Sequence, residues 1–237
     1  MSLQWNRVIA SRTAKLAPSP FDAVEAIRDI PGLIYFAGGA PPIEMLPVHR
    51  LRQAIADAWE NPGSVLFYDE TPGYPGLLDA IAERMARRGA PVDPARLMVT
   101  NGSQQGIDLI ARTLFDPGDV VVVEGPTYFG AMQAFDGFEV CYRTVEIDSE
   151  GLIIEQLEAA FQATPTPKAL YTVPTFQNPT GITISIERRK KIIELSKQYN
   201  VPIIEDDPYG ELHFPGNETG PMFAMDDQII YLGTFSK

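Results

Sequence analysis

The chain has 237 residues, 45% of them hydrophobic, and a formal net charge of −12 from 19 basic and 31 acidic side chains. That is apolar material for one large domain or two small ones. An acidic balance with no Lys/Arg-rich block beyond Arg188-Arg189-Lys190-Lys191 argues against a general nucleic-acid binder. A lone Cys141 excludes an internal disulfide framework, two histidines without a cysteine pair make a zinc cluster a poor fit, and no apolar run is long enough to span a bilayer.

The expectation is therefore a cytoplasmic protein that neither crosses membranes nor binds nucleic acid. Cys141 is expected to be a small buried residue, and the basic run 188–191 a solvated helix face.

In chain order, residues 21–29, 48–59 and 74–88 carry helical patterns, separated by Gly/Pro-rich segments such as Phe36-Ala37-Gly38-Gly39-Ala40-Pro41-Pro42. Residues 1–45 read as an N-terminal arm and small-domain segment, and 46–237 as one large domain. From residue 97 onward, short Val/Ile-rich runs at 97–100, 120–124, 140–145, 169–173, 202–205 and 229–232 alternate with helical stretches at 104–115, 128–135, 153–161 and 186–199. The β-rich runs show little polar alternation, as strands buried on both faces do. In 186–199, Ile186, Ile192, Ile193, Leu195 and Tyr199 fall largely on one side. The pattern predicts an α/β three-layer sandwich, a mostly parallel sheet covered by helices. The last strand runs into Gly233-Thr234-Phe235-Ser236-Lys237 and stops, so the expectation is a natural chain that continues, or a chain interrupted at a modified lysine.

Four segments carry candidate chemistry, each placed at the C-terminal end of a predicted strand, where open α/β sheets bind ligands. Thr100-Asn101-Gly102-Ser103-Gln104-Gln105 opens a helix, whose free N–H groups and Ser103 hydroxyl suit a phosphate; an ordinary N-cap is the alternative. Pro174-Thr175-Phe176-Gln177-Asn178-Pro179-Thr180-Gly181 is a turn that either presents the Asn178 amide to a ligand or only shapes the loop. Glu205-Asp206-Asp207-Pro208-Tyr209 puts three acids directly after Val201-Pro202-Ile203-Ile204. One acid should face a cation or a protonated ring nitrogen, while two could point into solvent. Thr234-Phe235-Ser236-Lys237 offers a lysine as a Schiff-base nucleophile, or a surface lysine. Together with an aromatic platform at Tyr128, the four supply the groups that pyridoxal 5′-phosphate (PLP) requires.

Phe36-Ala37-Gly38-Gly39, Gly102-Ser103-Gln104-Gln105, Phe176-Gln177-Asn178-Pro179-Thr180-Gly181, Glu205-Asp206-Asp207-Pro208-Tyr209 and Thr234-Phe235-Ser236-Lys237 occur in this order. In them the chain resembles the class I/II aminotransferases of PLP fold type I. It is most similar to the branch of 2-aminoadipate and kynurenine aminotransferases and MocR-type regulators. The resemblance implies a Lys237 Schiff base with PLP, Asp206 paired with the pyridine nitrogen, Tyr209 and Asn178 on the ring O3′ oxygen, and Tyr128 stacked on the ring. It implies Gly102, Ser103, Gln104, Thr234 and Ser236 at the phosphate. Tyr68 would reach the phosphate of a neighbouring subunit in a homodimer with shared active sites. Gly39 and Asn178 would lie beside the substrate, an amino acid or 2-oxo acid. The catalytic set is Lys237, Asp206 and Tyr209, with Arg12 or Lys15 as candidates for a distal substrate carboxylate. The family's phosphate-binding arginine after the lysine and its C-terminal small domain are missing, and its sheet has seven strands where six are read here. A PLP-binding regulatory domain and a PLP-dependent lyase are the alternatives. The regulator is disfavoured by the acidic charge and by the lack of room before Phe36 for a winged helix.

Overall fold

The computed structural model describes residues 3–16, 24–35, 39, 41–60, 62–68, 70–213 and 219–237. The Lys15 side chain, residues 36–38 and the first part of the helix expected at 21–29 lie outside that description. Six helices are labelled here: α1 (Val48–Trp59), α2 (Pro75–Arg87), α3 (Gly102–Leu114), α4 (Phe129–Asp136), α5 (Ile154–Gln162) and α6 (Ile186–Tyr199). Among the described residues six strands form one sheet: β1 (Val120–Gly125), β2 (Cys141–Asp148), β3 (Gly151–Leu152), β4 (Ala169–Thr172), β5 (Ile203–Asp206) and β6 (Ile230–Leu232). Among the described residues no helix is long and apolar enough to cross a membrane.

The strand order is β3-β2-β1-β4-β5-β6, parallel throughout except for the short β2–β3 pair. The chain moves outward from β1 to β2 and β3, then returns to place β4 on the other flank of β1. The strand order therefore reverses between β1 and β4, the position at which such sheets open a crevice for ligands.

Side-chain alternation builds the three layers. On β1, Val122 faces one core with Leu170 and Ile203, beneath Leu157 and Phe161 of α5 and Ile192 and Leu195 of α6. Val121 and Val123 face the opposite core with Tyr171 and Ile204, beneath Ile107 and Ala111 of α3 and Ala131 and Phe135 of α4. Each fully buried Val, Leu, Ile or Phe contributes about 1.5–3 kcal/mol over its exposed state. The sheet is held from both sides, which is why its strands read as continuous apolar runs rather than alternating ones.

Three expectations are corrected. Residues 97–100 are not a strand: the segment runs past the sheet with Val99 N donating only to Pro72 O (2.8 Å), and a cavity of about 470 Å³ separates it from β6. β-forming residues without a neighbouring strand have no ladder to join. Cys141 is exposed, because it begins β2 where the flanking β3 does not reach. Within the basic run, Arg189 is fully buried. Its guanidinium donates to Ile184 O, Gly220 O, Pro174 O and Thr175 Oγ1 at 2.8–3.0 Å, so it anchors α6 to the loop after β4.

Candidate functional site

The three acids at the end of β5 are all buried: Glu205 is 0% exposed, Asp206 3% and Asp207 4%. The expectation that two of them could face solvent fails, because β5 lies inside the sheet and its end is met by Met222 and Phe223 and by Arg88, just past α2. Each acid has a different answer to the cost of burial. Glu205 accepts the backbone N–H groups of Met222 (2.7 Å) and Phe223 (2.8 Å). Burial, then the charge of Asp207, pushes its carboxyl up to about 7 against those two hydrogen bonds. Asp207 is paired with Arg88 (2.7 Å) and accepts the Tyr231 hydroxyl (3.0 Å).

Asp206 is different. Its Oδ2 accepts the Tyr171 hydroxyl at 2.7 Å, and its Oδ1, like that of Asp207, is buried with no hydrogen-bond partner, but unlike Asp207 it has no Arg88 to balance its charge. No basic side chain pairs with it among the described residues. Burial raises its carboxyl to about 6, opposed by the Tyr171 hydrogen bond and reinforced by Asp207. A buried acid with an open acceptor and no cation beside it calls for a charged donor that the chain does not itself supply. A protonated heteroaromatic nitrogen is such a donor, and this open oxygen is the fit the site offers to a pyridine ring.

Around Asp206 stand two half-buried tyrosines. Tyr128 caps the start of α4, directly after β1. Burial raises its hydroxyl, with the nearby charges of Asp206 and Tyr209 adding to the effect. Tyr209 follows β5, and its hydroxyl accepts the Asn178 Nδ2 amide at 3.2 Å. Burial raises Tyr209, the Asn178 hydrogen bond opposes this, and Asp206 adds to it. Lys237 Nζ lies 5.9 Å from the Tyr209 ring centre and donates to Gly39 O at 3.1 Å. Gly39 has φ +48°, and a Cβ there would sit 3.7 Å from Lys237 Nζ.

Gly102, Ser103, Thr234, Ser236 and Lys237 share the cavity between α3 and the end of β6. Gly102 adopts φ +72° to turn the chain into α3. The cap position belongs to Asn101, whose side chain makes no capping hydrogen bond, so Ser103 is not an N-cap but lies inside the first turn. Thr234 Oγ1 and Ser236 Oγ lie 2.9 Å apart, and Ser236 N donates to Thr234 Oγ1, which folds this loop on itself. The Gln104 side chain is committed elsewhere: its Nε2 donates to Gly130 O at 2.6 Å, joining α3 to α4. The geometry thus joins Asn178 to Tyr209 by a hydrogen bond and sets Asp206 close enough to Tyr128 and Tyr209 for its charge to act on both, while Gly102, the hydroxyls and Lys237 share the cavity, and Lys237 beside the Tyr209 ring links the two groups. Tyr68 is not brought in; it stands fully exposed.

Three residues of this centre escape a reading of the sequence. Glu124, at the end of β1, accepts Thr172 Oγ1, Val173 N and Gln177 Nε2. A single acid closing the run Val120-Val121-Val122-Val123 carries the same signal as the acids after β5. Gln177 and Tyr171 give no comparable signal; only the fold places them beside Glu124 and Asp206.

These features define a PLP-enzyme type of α/β architecture, and comparison with known proteins gives the family. A family model described as aminotransferase class I and II matches residues 32–237, and the chain belongs to that family. Over its whole length it is 37% identical to aromatic-amino-acid aminotransferase 1 of Thermococcus litoralis, covering 58% of that protein. Over 99% of its length it is 32% identical to 2-aminoadipate transaminase of Thermus thermophilus, covering 59% of it. It is also 33% identical, over 92% of its length, to the HTH-type transcriptional regulator YdcR of Escherichia coli, covering 47% of that protein. Among solved structures, kynurenine aminotransferase of Pyrococcus horikoshii, crystallised with PMP, superposes with a TM-score of 0.90 at 36% identity, over 99% of this chain and 60% of that one. The chain therefore spans about three fifths of the length of the aminotransferases it matches.

Proposed function

We propose that this chain is the cofactor-binding part of a PLP-dependent aminotransferase that moves an amino group between an amino acid and a 2-oxo acid. The observation that carries the reading is Asp206, a buried acid with an open Oδ1 and no paired cation, set between two tyrosines at the end of β5, one strand beyond the reversal of the strand order. Asp206 would hold the pyridine nitrogen protonated, Tyr128 would lie against the ring, and Tyr209 and Asn178 would hydrogen-bond its phenolic oxygen. Gly102, Ser103, Gln104, Thr234 and Ser236 would receive the phosphate, with Gln104 acting through its backbone N–H because its side chain is engaged.

When bound, PLP supplies an aldehyde that captures amines and a ring that withdraws electrons from the substrate Cα. Lys237 Nζ would be the amine that holds the cofactor and, once free of it, the general base toward the substrate Cα–H. Gly39 O, 3.1 Å from Nζ, orients that amine. Gly39 and Asn178 would border the substrate carboxylate.

Residues 1–45 would serve as an N-terminal arm and small-domain segment, and residues 46–237 as the large domain. The working form would be a cytoplasmic homodimer in which Tyr68 reaches the partner's phosphate site. Support for the dimer comes from the full exposure of Tyr68 and from α1, whose Val48, Leu51, Ile55 and Trp59 form an apolar stripe that stays exposed.

The similarity to YdcR favours one second reading, a regulatory domain that binds PLP and an amine without turnover. Mixing PLP-loaded protein with a panel of amino acids and following the cofactor spectrum separates the two. Transfer is expected to yield aminated cofactor and the matching 2-oxo acid. Binding without an oxo acid product for any donor would leave the regulator.

A further inference from the structure

Glu124 and Gln177 are buried, at 1% and 3% exposure, and together tie three segments into one unit. The Glu124 carboxylate accepts Thr172 Oγ1 and Val173 N at the end of β4, and Gln177 Nε2 at 3.0 Å. The same Gln177 Nε2 donates to Pro126 O at 2.7 Å, two residues before Tyr128. Gln177 Oε1 accepts both Thr180 N (3.0 Å) and Thr180 Oγ1 (2.7 Å). Both hydrogens and both lone pairs of the Gln177 amide are therefore in use. Asn178, the next residue, meets Tyr209 across the site.

An apolar pair would fill this space at lower desolvation cost. A carboxylate and an amide with every partner assigned instead fix direction as well as distance. We propose that Glu124 and Gln177 are positioning residues that set the angle at which Asn178 and Tyr209 present their donors to a ligand oxygen in the site. The proposal rests on the reading that this ligand is PLP.

Glu124 also borders the Asp206 side of the site. Its charge acts on Tyr171, the donor to Asp206, and the charge of Asp206 acts on Glu124 in turn. Among the described residues, the titratable groups around the Asn178–Tyr209 pair are thus Glu124, Asp206, Tyr128, Tyr171 and Lys237, with the His213 ring tilted against Phe176 at 4.8 Å.

The test is the pH midpoint of the near-visible absorbance formed by the 237-residue chain with PLP. Donors to the phenolic oxygen draw its negative charge away from the neighbouring nitrogen and make that nitrogen easier to deprotonate. Misdirected donors should raise the midpoint. Glu124→Gln, which turns an amide hydrogen toward Gln177, and Gln177→Met, of similar volume, are each expected to raise it by about one pH unit. Thr180→Ala, at an exposed position, frees one anchor of Gln177 and is expected to raise it by less. Should the two buried variants fail to fold, Thr180→Ala decides alone. A midpoint common to the unsubstituted chain and the folded variants overturns this proposal alone. An unsubstituted chain with no near-visible band removes the PLP reading and this proposal with it.

Discussion

Asp206 places a carboxylate in the interior with half of its hydrogen-bonding capacity unused. Its folded value of about 6 lies above the ordinary 3.8, so the folded state binds its proton more tightly than the unfolded chain does. The stability it contributes is complete below about pH 4 and is lost as pH rises through 6. A rise of about two units corresponds to an upper bound on the order of 3 kcal/mol. Without cofactor, Asp206→Asn is therefore expected to match the unsubstituted chain near pH 4 and to be the more stable of the two at pH 7.5, by up to that amount in denaturant unfolding. With PLP present the order should reverse, because the amide cannot hold a pyridine nitrogen protonated. An Asn variant that gains nothing at pH 7.5 would mean that Asp206 already has its partner. The sequence made this acid visible through the apolar run before it, but not its neighbours' roles. Glu205 and Asp207 look the same on the page, and only the approach of Met222 N, Phe223 N and Arg88 from distant segments separates them from Asp206.

At the scale of elements, patterning located most of the scaffold. Helices 48–59 and 186–199 coincide with α1 and α6, and five of the six strand runs lie within a residue or a few of β1, β2, β4, β5 and β6. The exceptions have one cause: a strand needs an edge to pair with, and local sequence does not say whether one is present. Residues 97–100 have the composition of a strand without a neighbour, whereas Gly151–Leu152 have too little composition to be noticed yet pair with Ile147 and Asp148. Burial of Arg189 was illegible for a related reason, since its four acceptors lie on the loop after β4 and at Gly220. Arg189→Leu leaves those acceptors unmet and should cost about 3 kcal/mol, lowering the thermal midpoint by roughly 6–12 °C. Arg189→Lys should recover only part of this, since an ammonium cannot span the same fork of acceptors. A midpoint unchanged in Arg189→Leu would show that the loop is held by other contacts.

For the whole molecule, the candidate site exists because the parallel strands end in register. Tyr171 pairs with Ile204, Thr172 with Glu205 and Asp206 with Leu232, which brings the loops after β4, β5 and β6 to one edge of the sheet. Lys237 belongs to the last of these loops, and the proposed function rests on its amine. The most direct test is to reduce the PLP-treated chain with borohydride and map the modified peptide. One phosphopyridoxyl group is expected on Lys237, accompanied by loss of the near-visible band, and much less of it in Asp206→Asn. Label spread over surface lysines, or equal labelling after Lys237→Ala, would contradict it.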